Sequence, residues 1–176
     1  MKTILVAVDG SDHSDRAVQL ASDIACKYDA KLLLLHVIDA HSLTDEEKRL
    51  AQTEFSQLVE RHIQSSDISD VWSKRDQGVQ PFFTHHNEIG LVIHTALGEG
   101  FLEAASRDAR ANGVKDVETI LLNGGPAQTI VDVARERQAN LIVIGSRGQS
   151  DVKSLLMGSV SHKVANLSDI NVITVK

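Results

Sequence analysis

The sequence predicts an α/β protein with an open, five-stranded parallel sheet and helices on both faces. Short apolar runs rich in β-branched residues recur along the chain, near 3–8, 32–38, 117–122, 140–144 and 171–175. Unbroken apolar runs of this length are typical of strands that are buried on both faces. Segments with helical periodicity lie between them, and strands that alternate with helices favour parallel pairing through crossover connections.

Three helical segments each have one apolar face. The residues that share this face are Ala17, Ala21, Ile24 and Tyr28 in the first, Ala51, Phe55, Leu58 and His62 in the second, and Ala127, Ile130, Val131 and Ala134 in the third. Thr44 and Glu47 have the spacing of a capping box and predict the start of the second helix. Pro126 suits the first turn of the third helix, where its missing N–H costs nothing. A further helix is expected near 96–112.

Composition predicts one soluble globular domain over residues 1–176. The chain is 42% hydrophobic and 24% charged, with a net charge of −6 and a single cysteine, Cys26. Dispersed Lys and Arg give no basic surface for a nucleic acid, and one cysteine fits a reducing compartment. The apolar runs are too short for a membrane span, and the amino terminus lacks the pattern of a signal peptide. We therefore expect a cytoplasmic protein that binds no nucleic acid and does not span a membrane.

Residues 63–95 interrupt the alternation of strands and helices. They carry Trp72, Phe82 and Phe83 and have no clean period. A loop of this length in a compact domain is usually functional or mobile. We interpret it as an insertion. A cover for a ligand crevice, a dimer or partner contact, and simple surface packing all remain open.

Histidines cluster around this insertion. The cluster consists of His62, His85, His86 and His94, with Glu88 nearby. A transition-metal site needs three or four ligands in fixed geometry, and adjacent histidines rarely bind one ion together. No metal ligands are predicted from this cluster.

The most informative motif follows the apolar run 141–144. It reads Gly145-Ser-Arg-Gly148, nine residues, then Gly158-Ser159, a G-x2-G-x9-G-S spacing. Glycine lets backbone amides approach a ligand closely. A helix beginning near Gly158 would direct free N–H groups and the positive end of its dipole into the same space, which suits a phosphate. The G-x4-G-K-[ST] loop of P-loop hydrolases is absent, and Gly98 and Gly100 lack the third glycine of a dinucleotide fingerprint.

This motif resembles the nucleotide-binding loop of the universal stress protein family, in its ATP-binding branch. The resemblance extends to residues 4–11, 34–39, 124–127 and 172–175, in the family's order, and leaves 63–95 outside. It implies a Rossmann-like fold of the adenine nucleotide alpha hydrolase-like type, with strand order 3-2-1-4-5. In such a sheet, ligands bind where the order reverses, here at the ends of the first and fourth strands, near Asp9 and Gly145.

The resemblance also implies the site residues. In the family, the end of the first strand flanks the adenosine, and a backbone group of the second strand meets the adenine edge. The matching positions are Ala7, Val8, Asp9 and Val37, and the ribose and phosphate segment corresponds to Ile144, Gly145, Gly148, Gly158, Ser159 and Val160. Arg147 in the loop, with Lys153 beyond it, is a candidate for charge-assisted phosphate bonds. The alternatives are that Asp9 and Ser11 cap the next helix, that Val37 is core, and that the cations are only solvated.

The function implied is that of an ATP-binding stress-response regulator that acts through an unidentified protein partner. The sequence does not separate ATP from ADP or AMP. Mg²⁺ needs few protein ligands, and Asp9 and Asp39 are candidates. The resemblance implies a homodimer through the last strand, Asn171 to Val175, in which the Val172 and Thr174 face meets its counterpart.

Two other functions remain open. One is a slow ATP-hydrolysing or nucleotidyl-transferring enzyme of the same fold, and the other is an adaptor dimer without nucleotide. The sequence offers no positioned catalytic base and no Ser-His-Asp order, so no catalytic residue is predicted. Weak ATPase activity or self-phosphorylation stays compatible with the motif.

Overall fold

The computed structural model describes residues 2–39, 43–65, 86–148 and 157–176, with the backbone alone at residues 46 and 86–89. Most of the expected insertion, with Trp72, Phe82, Phe83 and His85, lies outside these residues, as does Lys153. The elements in chain order are β1 (Thr3–Ala7), α1 (Asp12–Tyr28), β2 (Lys31–Ile38), α2 (Asp45–Thr53), α3 (Ser56–Gln64), α4 (His86–Ala111), β3 (Val117–Asn123), α5 (Pro126–Glu136), β4 (Leu141–Gly145), α6 (Ser159–Leu167) and β5 (Asn171–Val175).

The five strands form one parallel sheet in the order β3-β2-β1-β4-β5. This is the order that the resemblance implied. The central strand β1 pairs with β2 as far as Ala7 opposite Leu35, and with β4 as far as Ala7 opposite Ile144. The chain order therefore reverses between β1 and β4, at the edge where Asp9 and Gly145 lie.

Helices cover both faces of the sheet, so the predicted fold class is confirmed. On one face, α1 and residues 101–111 of α4 pack over a buried cluster that includes Ile4, Val6, Leu32 and Leu34. On the other face, α5 and α6 pack over a cluster that includes Leu5, Leu33, Leu35 and Ile142. Successive strand residues enter alternate clusters, which explains why the strands read as unbroken apolar runs.

Helix α1 differs from its predicted apolar face at one end. Ala17 and Ala21 are buried as predicted, but Tyr28 is 54% exposed. Tyr28 is the last residue of the helix, and the chain leaves through Asp29 in the left-handed conformation, at φ 48°. The core at this end is filled by the small side chains of Ala25 and Ala30 instead.

Residues 40–100 form a compact unit of their own, distinct from the unit made by residues 1–39 and 101–176. In the smaller unit, the capping box of Thr44 and Glu47 at the start of α2 is confirmed. The single helical face predicted across Phe55 is wrong, because α2 ends at Thr53 and α3 begins at Ser56. The ring of Phe55 lies where a β-carbon on Gly100 would stand, so the break accompanies close packing of this ring.

Helix α4 begins at His86, ten residues before the start expected from the sequence. Its first fifteen residues contain Gly90, Gly98 and Gly100, which lower helix propensity and hide the periodicity. Pro126 occupies the first turn of α5, and Ala127, Ile130, Val131 and Ala134 are buried, as predicted. In the described part of the chain, no helix is both long and apolar enough to cross a membrane.

Candidate functional site

The end of β1 is tied to the start of α1. The Asp9 N–H donates to Ser14 Oγ at 3.2 Å, and Asp9 Oδ1 accepts from the Ser11 N–H at 3.0 Å and from the Ser11 hydroxyl at 2.6 Å. Ser11 is the N-cap of α1 and accepts in turn from the Ser14 N–H. Asp9 therefore supports the helix cap, as the alternative reading of the sequence expected. This role uses one oxygen of its carboxylate.

The end of β4 comes back to the same carboxylate. The hydroxyl of Ser11 lies 3.4 Å from the Arg147 carbonyl oxygen. A β-carbon on Gly148 would stand 2.6 Å from Asp9 Oδ2. Described residues offer no hydrogen bond to this second oxygen. The first-strand motif and the glycine motif, far apart in sequence, thus meet at Asp9 and Gly148.

Gly145 has a packing role that the sequence did not indicate. A β-carbon there would lie 2.9 Å from the carbonyl carbon of His13 and 3.0 Å from the Ser14 nitrogen. These are backbone atoms of the first turn of α1, which cannot move without moving the helix. The missing side chain of Gly145 is therefore needed for α1 to pack on β4, whether or not a ligand is bound.

The start of α6 is anchored to the residue that follows β4. The N–H of Gly158, the N-cap, donates to the Ser146 carbonyl oxygen at 2.7 Å. The hydroxyl of Ser161, which is 2% exposed, lies 3.0 Å from both the Ser146 and the Gly158 carbonyl oxygens. The next N–H groups are those of Ser159, Val160 and Ser161. Because they lie in the first turn, they have no carbonyl acceptor within their own helix. Ser159 is exposed and Val160 half-buried.

The two helix starts at this edge differ in charge. Helix α1 carries Asp12 and Asp15 in its first turn, whereas α6 carries no acidic residue there. Partial desolvation raises the pKa of Asp15, although this residue stays exposed, and the neighbouring carboxylates of Asp108, Asp12 and Asp9 raise it further. Negative charge is thus already concentrated at the start of α1. An additional anion is better accommodated at the start of α6, where the helix dipole is not compensated.

The backbone of Val37 faces the same edge. Along β2, the Lys31 N–H donates toward β1 and the Leu32 N–H toward β3, so the amide and carbonyl of Val37 point toward β1. Pairing with β1 ends before Val37, at the bond from the Val8 N–H to the Leu35 carbonyl oxygen, 2.8 Å. Among the described residues, no backbone carbonyl accepts a hydrogen bond from the Val37 N–H. Its side chain packs against the cluster under α5 and α6.

All eleven residues predicted for the site are described. Gly148 lies against Asp9, and the backbone of Arg147 lies beside Ser11. Gly158 to Val160 form the start of α6, which is tied to the end of β4 through Ser146. Ala7, Val8 and Val37 lie at or next to the ends of β1 and β2, and Ile144 and Gly145 end β4. The sequence reasoning missed Ser146, Ser161 and His36, which act through hydrogen bonds to distant backbone groups.

Two histidines of the smaller unit, His62 and His94, lie close to glutamates. His62 Nε2 lies 2.8 Å from a carboxylate oxygen of Glu99, and His94 Nδ1 lies 3.6 Å from one of Glu47. Across the described ranges, no three His, Cys, Asp or Glu residues are placed to hold a metal ion together. His85 and the side chains of His86 and Glu88 lie outside what the structure describes.

The sequence model of the universal stress protein family matches residues 1–176. This chain belongs to the universal stress protein family. The match includes the segment 63–95, which the sequence motifs alone left outside the resemblance.

Individual members of the family are similar over nearly the whole chain. The universal stress protein YxiE of Bacillus subtilis is 33% identical, over 98% of this chain and 97% of its own length. A universal stress protein solved in complex with cAMP is 25% identical, with a TM-score of 0.59 over 99% of this chain and 95% of that chain. The universal stress protein from Archaeoglobus fulgidus in complex with dAMP shares the fold, at 21% identity and a TM-score of 0.60 over 100% of this chain and 98% of that one.

Proposed function

We propose that this universal stress protein binds an adenine nucleotide, ATP with Mg²⁺, at the carboxyl ends of β1 and β4, and regulates a stress response through a partner. The observation that carries the proposal is the meeting of Asp9 with Gly148 at the point where the strand order reverses. Ligands of open α/β sheets bind in the crevice at this point. The proposal assigns no catalytic residue.

The start of α6 holds the phosphates in this proposal. The N–H groups of Ser159 and Val160 and the exposed hydroxyl of Ser159 supply hydrogen bonds to phosphate oxygens. No acidic side chain in the first turn of α6 opposes them. Arg147, half-buried in the turn after β4, adds a charge-assisted bond.

The ends of β1 and β2 hold the nucleoside. The Asp9 oxygen that does not support the helix cap accepts hydrogen bonds from ribose hydroxyls or the exocyclic amine. Ala7, Val8 and Ile144 supply the apolar surroundings that make such bonds selective. The backbone of Val37 offers an N–H beside a C=O, which complements the ring nitrogen and exocyclic amine of adenine. Guanine presents the opposite pattern.

The ligands of related proteins support a site built mainly for the nucleoside. The two solved relatives described above hold cAMP and dAMP, which share adenine and differ in sugar and phosphate. A site that recognises adenosine through hydrogen bonds to Val37 and Asp9 can bind ligands that differ in this way. The number of phosphates then depends on the loop and on Mg²⁺, which neutralises phosphate charge and for which Asp9 and Asp39 are the candidate carboxylates.

We further propose that two copies pair through β5 in the cytoplasm. β5 lies at the edge of the sheet and is half-buried to exposed along its length. An edge strand offers unpaired backbone groups to a second chain. Thr174 is exposed, whereas Val172 also packs against its own core, so Thr174 is the more accessible part of the face.

The test is thermal unfolding of the nucleotide-stripped protein with Mg²⁺-ATP and, separately, with Mg²⁺-GTP. A ligand at a hundred times its dissociation constant adds about 2.7 kcal/mol to stability, so ATP should raise the unfolding temperature by several degrees. GTP should raise it much less. The absence of any shift at millimolar ATP would contradict the proposal.

A matched pair of variants locates the phosphates. Ser159→Ala removes the exposed hydroxyl at the first residue of α6 and should weaken ATP binding by about tenfold. Ser56→Ala changes the corresponding first residue of α3, which is also exposed, and should leave ATP binding unchanged. Equal affinities of the two variants for ATP would argue against phosphates at α6. Both affinities are measured by isothermal titration calorimetry.

A further inference from the structure

The ladder between β1 and β2 ends one bond early. After the bond from the Val8 N–H to Leu35, the regular parallel pattern would continue from the Val37 N–H to the Val8 carbonyl oxygen. That oxygen lies instead 2.7 Å from Nδ1 of the His36 side chain. Because a carbonyl oxygen only accepts, Nδ1 carries the hydrogen and donates it.

The His36 ring is itself held in place. It meets the ring of Phe101 edge-on, with ring centroids 5.7 Å apart and an angle of 60° between the planes. The Phe101 ring also covers Gly10, where a β-carbon would lie 2.5 to 2.8 Å from three ring atoms and where φ is +75°. His36 and Phe101 therefore fix the path by which the chain leaves β1 on either side of Asp9.

The side-chain bond has a consequence for Val37. An amide with no partner is retained where water or a ligand satisfies it, because burying it unpaired costs free energy. We infer that His36 is a positioning residue of the nucleotide site: by holding the Val8 carbonyl, it keeps the Val37 N–H available to the edge of the base. The inference rests on the proposed function and adds to it a residue that does not touch the ligand.

The variant His36→Leu tests this role in binding. Without the imidazole, the Val8 carbonyl can turn to the Val37 N–H and extend the ladder by one bond. The affinities for adenosine and for ATP should then both fall by about tenfold, the value of one hydrogen bond, while inorganic tripolyphosphate binds as it does to the unchanged protein. His36→Asn places an amide nitrogen near the position of Nδ1 and should restore most of the adenosine affinity. If the role of His36 were purely structural, His36→Leu would lower the affinities for all three ligands together.

Amide hydrogen exchange of Val37, followed by NMR without nucleotide, tests the same role directly. The Val37 N–H should exchange fast in the unchanged protein and in His36→Asn, and at least tenfold more slowly in His36→Leu. Slow exchange in the unchanged protein would overturn the inference, and so would equal adenosine affinity in His36→Leu. If His36→Leu does not fold, the unchanged protein and His36→Asn still decide the exchange question.

The two readouts separate this inference from the proposed function. If the unchanged protein binds no adenine nucleotide, the proposed function is wrong and the role of His36 in binding falls with it. The exchange comparison then still decides whether His36 controls the Val37 amide. If nucleotide binds but Val37 exchanges slowly in the unchanged protein, the proposed function stands and the role of His36 is wrong.

Discussion

Gly148 lies directly against the Asp9 carboxylate. A β-carbon on Gly148 would stand 2.6 Å from Asp9 Oδ2, while Oδ1 of the same carboxylate is held by Ser11 at the start of α1. The carboxylate is thus fixed on one side by the helix cap and bounded on the other by a residue with no side chain. Its position depends on that small residue being present.

Gly148→Ala should therefore weaken nucleotide binding more than it weakens the fold. The new methyl group displaces the Asp9 carboxylate, which is the end of a side chain and can rotate away. We expect a loss of adenosine affinity of about tenfold, with a loss of stability of about 1 kcal/mol. Calorimetric titration and urea unfolding measure the two effects. Gly125→Ala is the control, because a β-carbon there meets nothing within 4 Å; adenosine affinity as high in Gly148→Ala as in this control would count against the role of Asp9.

Gly145→Ala should instead weaken the fold. Its β-carbon would lie 2.9 to 3.0 Å from atoms of His13 and Ser14, and two of these are backbone atoms of α1. Overpacking of this kind costs about 1–3 kcal/mol. Urea unfolding at neutral pH should show this loss without nucleotide. If stability is unchanged and only binding is lost, the close approach serves the ligand rather than the helix.

Ser161→Ala should loosen the start of α6. The buried hydroxyl lies 3.0 Å from the carbonyl oxygens of both Ser146 and Gly158. Its loss leaves buried acceptors with fewer donors, which costs about 1–2 kcal/mol. The matched control is Ser22→Ala, another buried helical serine, whose hydroxyl donates to the Val18 carbonyl oxygen of its own helix at 2.7 Å. Thermal unfolding should separate the two, and equal effects would contradict the anchoring role of Ser161.

The raised pKa of Asp15 predicts that the free energy of unfolding depends on pH. Partial desolvation, and then the carboxylates of Asp108, Asp12 and Asp9, raise the pKa of Asp15 above its ordinary value of 3.8. The folded protein therefore binds this proton more tightly than the unfolded chain does, and the charged form destabilises the fold at neutral pH. Asp15→Asn should raise the free energy of unfolding at pH 7. The gain should shrink as the pH falls through the folded-state pKa toward 3.8.

Urea unfolding of Asp15→Asn at pH 7 and at about pH 3.5, where the unfolded aspartate is largely protonated, checks this sign. Asp23→Asn, which is exposed on the same helix as Asp15 is, controls for the loss of one negative charge. A gain in Asp15→Asn that is larger at the lower pH would show that the sign is wrong.

Much of the fold was predictable, because the strands of a parallel sheet that is buried on both faces have sequences that are unbroken apolar runs. The strands and the cap at Thr44 follow from local patterns of a few residues. The break between α2 and α3 was not predictable, because it accompanies the packing of Phe55 on Gly100, 45 residues away in the printed sequence. The early start of α4 was hidden by its glycines.

For the site, the motifs placed Asp9 and Gly145 at one edge of the sheet, and the strand order confirms that the strands leading to them, β1 and β4, are neighbours. Their roles toward a ligand remain predictions. The side-chain bonds that shape the site were beyond the sequence, since Ser161 reaches Ser146 across 15 residues and His36 reaches Val8 across 28. A serine or histidine gives no local sign of which distant carbonyl it will meet.

Ser146 connects β5 and α6 through two backbone hydrogen bonds. Its N–H donates to the Val175 carbonyl oxygen of β5 at 2.6 Å, and its carbonyl oxygen receives the Gly158 N–H at the start of α6. Ser146 is thus hydrogen-bonded both to the strand that we propose for pairing and to the helix that we propose for phosphate binding. Thermodynamic linkage then sets a strict relation: any factor by which nucleotide tightens the pairing of two chains must equal the factor by which pairing tightens nucleotide. In this architecture, the concentration of the protein would itself become a variable in how much nucleotide it holds.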